Sequence, residues 1–298
     1  MIYTQIRAFD AVAREGSFSR AAELLGVTQP ALTIQVKALE ERYGVKLLRR
    51  QGRTVTLTEL GAQVFKMSRR LAGLEEQIRE TLAVSQALEK GHLRLAIDGP
   101  HIAMGLFARF IARYPGVGLS VALGNSRFVR QELLDRRADV AILPGVAGHP
   151  QIHAVPLWHH RAVLIVADGH PWARRAEVTL AELDGQPMVG REEGSMTQRV
   201  VDEALAAAGV TPRIVLQLGS REALCEAVAA GLGLGIVWEL EAAGSARFRT
   251  VPLAGGIRST DYVACLKSEW MRKSIKAFFQ VAAGLPGNRT DVAALRSG

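Results

Sequence analysis

The sequence predicts a two-lobed α/β domain preceded by a small helical domain and one long helix. Three observations predict it. Residues 1–58 break into short helical stripes separated by glycine turns. From Leu60 to Leu88 a single apolar seam runs at spacings of mostly four and three. Beyond Gly91, apolar strands alternate with amphipathic helices. The expected boundaries are 1–58, 59–90 and 91–298, with one lobe built from 91–160 and 262–298 and the other from 161–261.

In the first part, Ile2, Ile6, Phe9 and Ala13 lie three or four apart and form the core stripe of a first helix, which Gly16 ends. Ser17 or Ser19 caps a second helix, Arg20 to Leu25, with Ala21, Ala22 and Leu25 inward. Gly26-Val27 makes a tight turn. Thr28 caps a third helix, and Pro30 sits in its first turn, where no intrahelical N–H is needed. Leu32, Val36, Leu39 and Tyr43 form its inner stripe, so Gln29, Pro30, Thr33, Ile34 and Lys37 point outward.

Two helices joined by a glycine turn, the second with a polar outer face, make a helix-turn-helix. An α-helix fits the major groove of B-DNA. Gln29 can meet base edges there, while Thr28 and Thr33 reach phosphates or bases. "RRQGRTVTL" then reads as two short strands around a Gln51-Gly52 turn, a wing carrying Arg49, Arg50 and Arg53. The candidate DNA-contacting set is therefore Thr28, Gln29, Pro30, Thr33 and Lys37 on the helix, with Arg50 and Arg53 on the wing. Residues 1–58 hold nine Lys/Arg against five Asp/Glu, and five of the nine fall between Arg42 and Arg53. That clustering is the electrostatic footprint of backbone binding.

The whole chain agrees with a polyanionic partner. Its 298 residues include 37 Lys/Arg and 29 Asp/Glu, a net charge of +8. No apolar run reaches the ~20 residues of a membrane span. The N-terminal stretch lacks the pattern of a signal peptide, so a cytoplasmic protein without membrane association is expected, with Cys225 and Cys265 as reduced thiols.

The segment "FSRAAELLGVTQPALTIQVKALEERYGVKLLRR", followed by "VTLTELG", closely resembles the winged helix-turn-helix of LysR-type transcriptional regulators. Ile34 departs from the pattern, since many members carry arginine or another polar residue there. Reading of sequence then leans on Gln29 and Thr33.

The next part carries the seam Leu60, Val64, Met67, Leu71, Leu74 and Ile78, continued by Leu82, Ser85 and Leu88. A rod with one heptad-like apolar seam needs a partner, and the simplest is its own copy. The resemblance implies the same, because this helix is the dimerising linker of the family. The expected partners are double-stranded promoter DNA, a small-molecule effector and a second copy in a dimer or tetramer.

In the last part, "HLRLAI", "VGLSVAL", "DVAIL", "AVLIVA", "PMVG", "RIVLQL", "LGIVW" and "DYVACL" read as strands of mostly parallel sheets. Crossings near Pro156–Arg161 and Ile257–Asp261 suggest two lobes. This architecture resembles a periplasmic binding protein, which the resemblance identifies as the effector domain. Ligands in open α/β sheets lie beyond the carboxyl ends of strands, at helix N-termini. In the first lobe those ends supply Asp98, Gly99, Pro100 and His101, then Asn125 and Ser126. In the second lobe they supply Arg191, Glu192, Ser195 and Thr197, then Ser220, Arg221 and Trp238. "YTQIRAFDAVAREGSFSRAAE", "LGNS" and "GSREAL" look like the subgroup associated with aminoethylphosphonate catabolism. A phosphonate suits helix N-termini and Arg191 or Arg221; an alkylammonium suits Asp98, Glu192 or Glu239.

Two other classes compete. An α/β enzyme fused to a DNA-binding domain would need a constellation that is not visible. "GLGLG" at 231–235 follows a helix and leads into a strand, the reverse of a dinucleotide loop. Both cysteines read as buried structural thiols. A metal-responsive regulator would use His149, His153, His159 and His160, but their spacing straddles two prolines and a predicted strand, and a solvated loop is the better reading. No catalytic residue, metal site or cofactor is assigned.

Overall fold

The computed structural model describes residues 2–51, 54–82, 91–242 and 245–285; the side chains of Arg50, Gln51, Arg79, Glu80, Thr81, His101 and Ile102 lie outside that description. The chain divides into two compact units, one built on residues 1–85 and the other on most of the rest.

The first unit contains α1 (Ile2–Glu15), α2 (Phe18–Leu25), α3 (Gln29–Tyr43), the antiparallel hairpin β1 (Leu48–Gln51) and β2 (Thr54–Leu57), and α4 (Glu59–Leu82). Phe9, Val12, Ala21, Leu32, Val36 and Leu39 form its core. Ser17 caps α2 by accepting from the Arg20 amide, and Thr28 caps α3 by accepting from the Ala31 amide. Between them Gly26 adopts a left-handed φ of 65°, and its amide closes the helix end on the Ala22 and Glu23 carbonyls. A side chain there would be strained, which fixes the sharp turn to glycine.

Tyr43, expected inside, is 55% exposed, and Ile2 is also exposed. The buried position beside Leu39 is instead Glu40. Its carboxylate accepts from the amides of Leu47 (2.8 Å) and Leu48 (3.1 Å) and from Lys46 Nζ (3.0 Å). Burial alone would raise its pKa, but these donors outweigh that and hold it below the usual range. Glu40 thereby ties α3 to the wing.

On α4, Ser68 and Arg69 bond Asp10 of α1 at 2.7 and 3.1 Å. Met67, Leu74, Ile78 and Leu82 are exposed, at 66, 55, 59 and 79%. They lie seven, four and four residues apart on one face. Ser85 and Leu88, the end of the expected seam, lie outside the described residues.

The second unit begins with β3 (Gly91–Ile97), α5 (Pro100–Arg113), β4 (Val117–Leu123), α6 (Ser126–Leu134) and β5 (Val140–Pro144). The 16-residue strand β6 (Ile152–Ala167) follows. Then come β7 (Pro187–Arg191), α7 (Met196–Ala207), β8 (Arg213–Leu218), α8 (Arg221–Ala229), β9 (Gly235–Trp238) and the single turn α9 (Glu239–Ala242). The unit closes with β10 (Phe248–Pro252), β11 (Arg258–Leu266) and α10 (Lys273–Ala283).

The expectation of mostly parallel sheets needs correction. β3 is parallel to β4 and β5, and β7 to β8. However, β11 runs antiparallel to β5 and β6, and β9 and β10 run antiparallel to β6. The result is one mixed seven-stranded sheet with a separate β7–β8 pair. Two crossing strands that carry the chain out of one lobe and back must run in opposite directions. Residues 152–160, which hold three of the histidines read as a solvated loop and most of the crossing expected near Pro156–Arg161, are the first part of β6. Its near half pairs β11 and its far half pairs β9 and β10, so one strand spans both lobes. The register slips opposite Asp261/Tyr262, between the two crossing strands. Each lobe keeps its own core, around Leu95, Phe110 and Phe278 in the first and Leu164, Leu205 and Trp238 in the second.

Candidate DNA interface and effector cleft

Gln29, Pro30, Ile34 and Lys37 are exposed on one side of α3, and Thr28 is exposed at its cap. Ile34 is 63% exposed although apolar. The Gln29 amide oxygen accepts from Ser19 Oγ at 3.0 Å, which orients the amide and places Ser19 beside it. Sequence reading assigned Ser19 only a possible cap. Thr33 is half-buried and donates its hydroxyl to the Gln29 carbonyl at 2.9 Å, so only its acceptor capacity is open. Arg49 is exposed on β1. The Arg50 side chain and the whole of Arg53 lie outside the described residues.

In the second unit the strand ends converge as expected. Asp98 follows β3, and its carboxyl meets Ser126 Oγ at the start of α6 at 2.6 Å. Asn125 donates to Glu192 across the cleft at 3.1 Å, and the Arg127 amide donates to the Gly194 carbonyl at 3.2 Å. Gly194 holds a φ of 101°, and a Cβ there would press on Arg127 and Asn125. Glycine therefore lets this loop reach the opposite lobe.

Ser195 caps α7 through the Gln198 amide, and Ser220 caps α8 through the Ala223 amide. Thr197 Oγ1 accepts from Trp238 Nε1 at 3.0 Å. Gly99 caps α5 and Pro100 opens it, without a contact to the cleft among the described residues. His101 belongs to that helix, but its side chain lies outside the description.

The two arginines chosen from sequence are not free cations. Arg191 binds Glu192 through Nε and Nη2 at 2.8 and 3.1 Å. Arg221 binds Glu241 at 2.8 Å and also Glu222. Glu239, a candidate for an ammonium, pairs with Arg161 at 3.2 Å on an exposed surface.

Two cleft residues were missed, and His160 was weighed only as a metal ligand. Glu241 and Asp261 line the inner cleft together with Asp98. Buried His160 sits behind Asp261, with Nε2 2.9 Å from Oδ2. His160 Nδ1 is buried with no hydrogen-bond partner among the described residues, so the ring proton belongs on Nε2, where the carboxylate accepts it. Burial first, then the nearby charge of Asp261, pushes the Asp98 carboxyl well above its usual pKa. Burial also raises Glu241, against the pull of Arg221.

The four histidines weighed as a rival metal site are dispersed. His153 packs against Trp270, His159 meets Thr260, His160 meets Asp261, and His149 accepts from the Gln151 amide. Among the described residues, no group of three or more His, Cys, Asp or Glu is placed to hold a metal ion. Burial raises the Cys225 thiol to about 11 and the Cys265 thiol to about 12, so both stay protonated near neutrality.

A helix-turn-helix with a wing, followed by a two-lobed domain with a polar cleft, defines a ligand-responsive DNA-binding regulator. The chain belongs to the LysR family. Residues 3–62 match the bacterial regulatory helix-turn-helix protein model of that family, and residues 86–285 match the LysR substrate binding domain. It is similar to a RuBisCO operon transcriptional regulator of Allochromatium vinosum, 34% identical over 78% of each chain. It is also similar to the HTH-type transcriptional activator CmpR of Synechocystis, 32% identical over 78% of this chain and 77% of the relative. The fold matches full-length OxyR from Pseudomonas aeruginosa with a TM-score of 0.79 at 22% identity, covering 95% of both chains. The regulatory domain of Synechocystis CcmR in complex with 2-PG matches 70% of this chain and 99% of its own, with a TM-score of 0.60 at 22% identity. The chain is thus a DNA-binding transcriptional regulator with a small-molecule effector domain. Among the described residues, no helix is long and apolar enough to cross a membrane.

Proposed function

We propose that residues 1–58 read promoter DNA, that 59–90 join two copies, and that the lobes 91–160 with 262–298 and 161–261 close on a small anionic effector. The observation that carries this is the cleft itself, where Asp98, Ser126, Arg191, Ser195, Thr197 and Arg221 meet around one cavity although they come from separate strand ends. In this reading Gln29 reads base edges, with Thr33 accepting from a base or from water. Thr28, Pro30, Lys37, Arg50 and Arg53 line the DNA path, the last two at phosphates. The protein works in the cytoplasm beside its DNA and carries out no catalytic step. Lobe closure shifts the linker helices and hence the spacing of the paired reading heads.

One of the named relatives is a RuBisCO operon transcriptional regulator, and the comparisons do not support the aminoethylphosphonate subgroup. An aminophosphonate effector remains a proposal that rests on the sequence segments and on the chemistry of the cleft.

The test is an operator selected from random duplexes, titrated by fluorescence anisotropy in the presence of phosphonates, phosphorylated carboxylates and simple carboxylates. One class is expected to raise the melting temperature of the protein and change operator affinity roughly 5–150-fold, the usual range of allosteric coupling. A panel that moves neither quantity contradicts the effector reading.

A further inference from the structure

The cleft is two cavities of very different size and opposite character. The inner one has a volume of about 20 Å³. One water needs roughly 10–15 Å³, so it admits a single group about as large as a water or an ammonium, and no phosphonate or phosphate. The outer one, of about 420 Å³, shares Ser126, Arg191 and Ser195 with it and opens toward α6 and α7. An effector that reaches the inner cavity must therefore leave its larger end outside.

Charge is divided the same way. Three carboxylates face the inner cavity: Asp98 from the end of β3, Asp261 from β11 and Glu241 from α9. Its two guanidinium groups are already bound, Arg221 of α8 by Glu241 and Glu222, and Arg191 of β7 by Glu192. Asp98 and Asp261 meet no guanidinium among the described residues; their partners are the Ser126 hydroxyl and the His160 ring of β6. The inner cavity thus has more carboxyl groups than guanidinium groups, and both guanidinium groups are already engaged by glutamates.

The outer basin is lined by four arginines, Arg127, Arg130, Arg191 and Arg199, against Glu192, Glu193 and Asp202. Arg130 gives Nη2 to the Gly145 carbonyl at 3.1 Å, while its buried Nε has no hydrogen-bond partner among the described residues. Among the described residues Arg127 and Arg199 pair with Glu193 and Glu203 on the exposed surface, and such pairs are weak and open readily to an incoming anion. The N-terminus of α7 adds partial positive charge beside Ser195.

We propose that the effector is a zwitterion bound amine-inward, its ammonium in the inner cavity against Asp98 and Asp261 and its anionic head in the outer basin over Arg130 and Arg191. This rests on the reading that the cleft holds the effector. It keeps Asp98 for the ammonium and Arg191 for the anion, as the sequence suggested, but removes Arg221 from the anion. Arg221 instead holds Glu241 in place. In the empty site burial and then the Asp261 charge push the Asp98 carboxyl well above its usual pKa, and an ammonium bound against it favours the ionised carboxylate. Binding then releases a proton and strengthens as pH rises toward the Asp98 pKa.

The experiment is isothermal titration of the full chain with 2-aminoethylphosphonate, ethylphosphonate and ethanolamine, in two buffers of different ionisation heat. The zwitterion is expected to bind at least tenfold more tightly than either half-ligand, with proton release visible as a buffer-dependent heat. Asp98→Asn should level 2-aminoethylphosphonate with ethylphosphonate. Arg130→Gln should weaken both phosphonates by a similar factor and keep the preference for the amine. Ethylphosphonate binding as tightly as its amino analogue overturns the amine-inward placement and leaves the effector reading intact. Binding by none of the three also overturns it, while the effector reading then stands or falls on the wider panel with operator DNA.

Discussion

Replacing Asp139 with alanine is expected to destabilise the second unit by about 3–5 kcal/mol, the usual cost of removing one member of a buried charge network. Asp139 lies beside the start of β5, almost fully buried. Arg94 of β3 grips both its oxygens at 3.1 and 2.6 Å, and Arg272, just before α10, adds a bond at 2.8 Å. Removing the carboxylate leaves two guanidinium groups facing each other out of water. The same site predicts a pH response. Burial alone would raise the Asp139 pKa, but the two arginines hold it below its usual value. A depressed folded pKa means that the stabilisation is complete above the unfolded value, near 3.9, and is lost as pH falls through the folded value. All four tryptophans, at 158, 172, 238 and 270, lie in this unit, so their fluorescence during urea unfolding reports it alone. The variant should lose most of its urea resistance at pH 7, and its difference from wild type should shrink as the pH falls below about 4. A loss below about 1 kcal/mol at pH 7 would mean that the arginines find other partners.

Leu74→Lys together with Ile78→Lys is expected to give a monomer by sedimentation and to weaken operator binding by about 10²–10⁴-fold, the range that bivalence supplies. Both side chains are exposed one turn apart on α4, in line with Met67 and Leu82. Four large apolar groups along one helical face in water mark a surface that another chain covers. A second copy brings the same stripe, and lysines at these positions would face lysines across a two-fold seam. Leu71, which the spacing places in the seam, is only half exposed and is a poorer site for this test. A dimer of unchanged strength would move the interface off α4.

The reading helix was legible because its signals are local. A cap at Thr28, a proline in the first turn and a glycine at the left-handed turn each act within four residues of themselves. Glu40 was not legible. It adjoins the inner stripe, but its burial depends on the chain doubling back so that Leu47 and Leu48 present their amides. His160 and Asp261 stand 101 residues apart and meet only because β6 and β11 pair. The direction of those strands was also misread, since periodicity reports which face is buried and carries no information on direction. Many of the residues chosen at strand ends line one cavity because strand ends are visible in sequence, while Gly99, Pro100 and Ser220 do not line it. Which arginine stays free was not, because that depends on glutamates brought in by other elements.

α3 is expected to read DNA through Gln29. Affinities of wild type and Gln29→Ala for the selected operator and for a random duplex of equal length, at one salt concentration, test it most directly. Loss of about 1–3 kcal/mol on the operator with little change on the random duplex is the expected result, since a base-edge contact carries specificity and a phosphate contact does not. An unchanged ratio of the two affinities would contradict the claim.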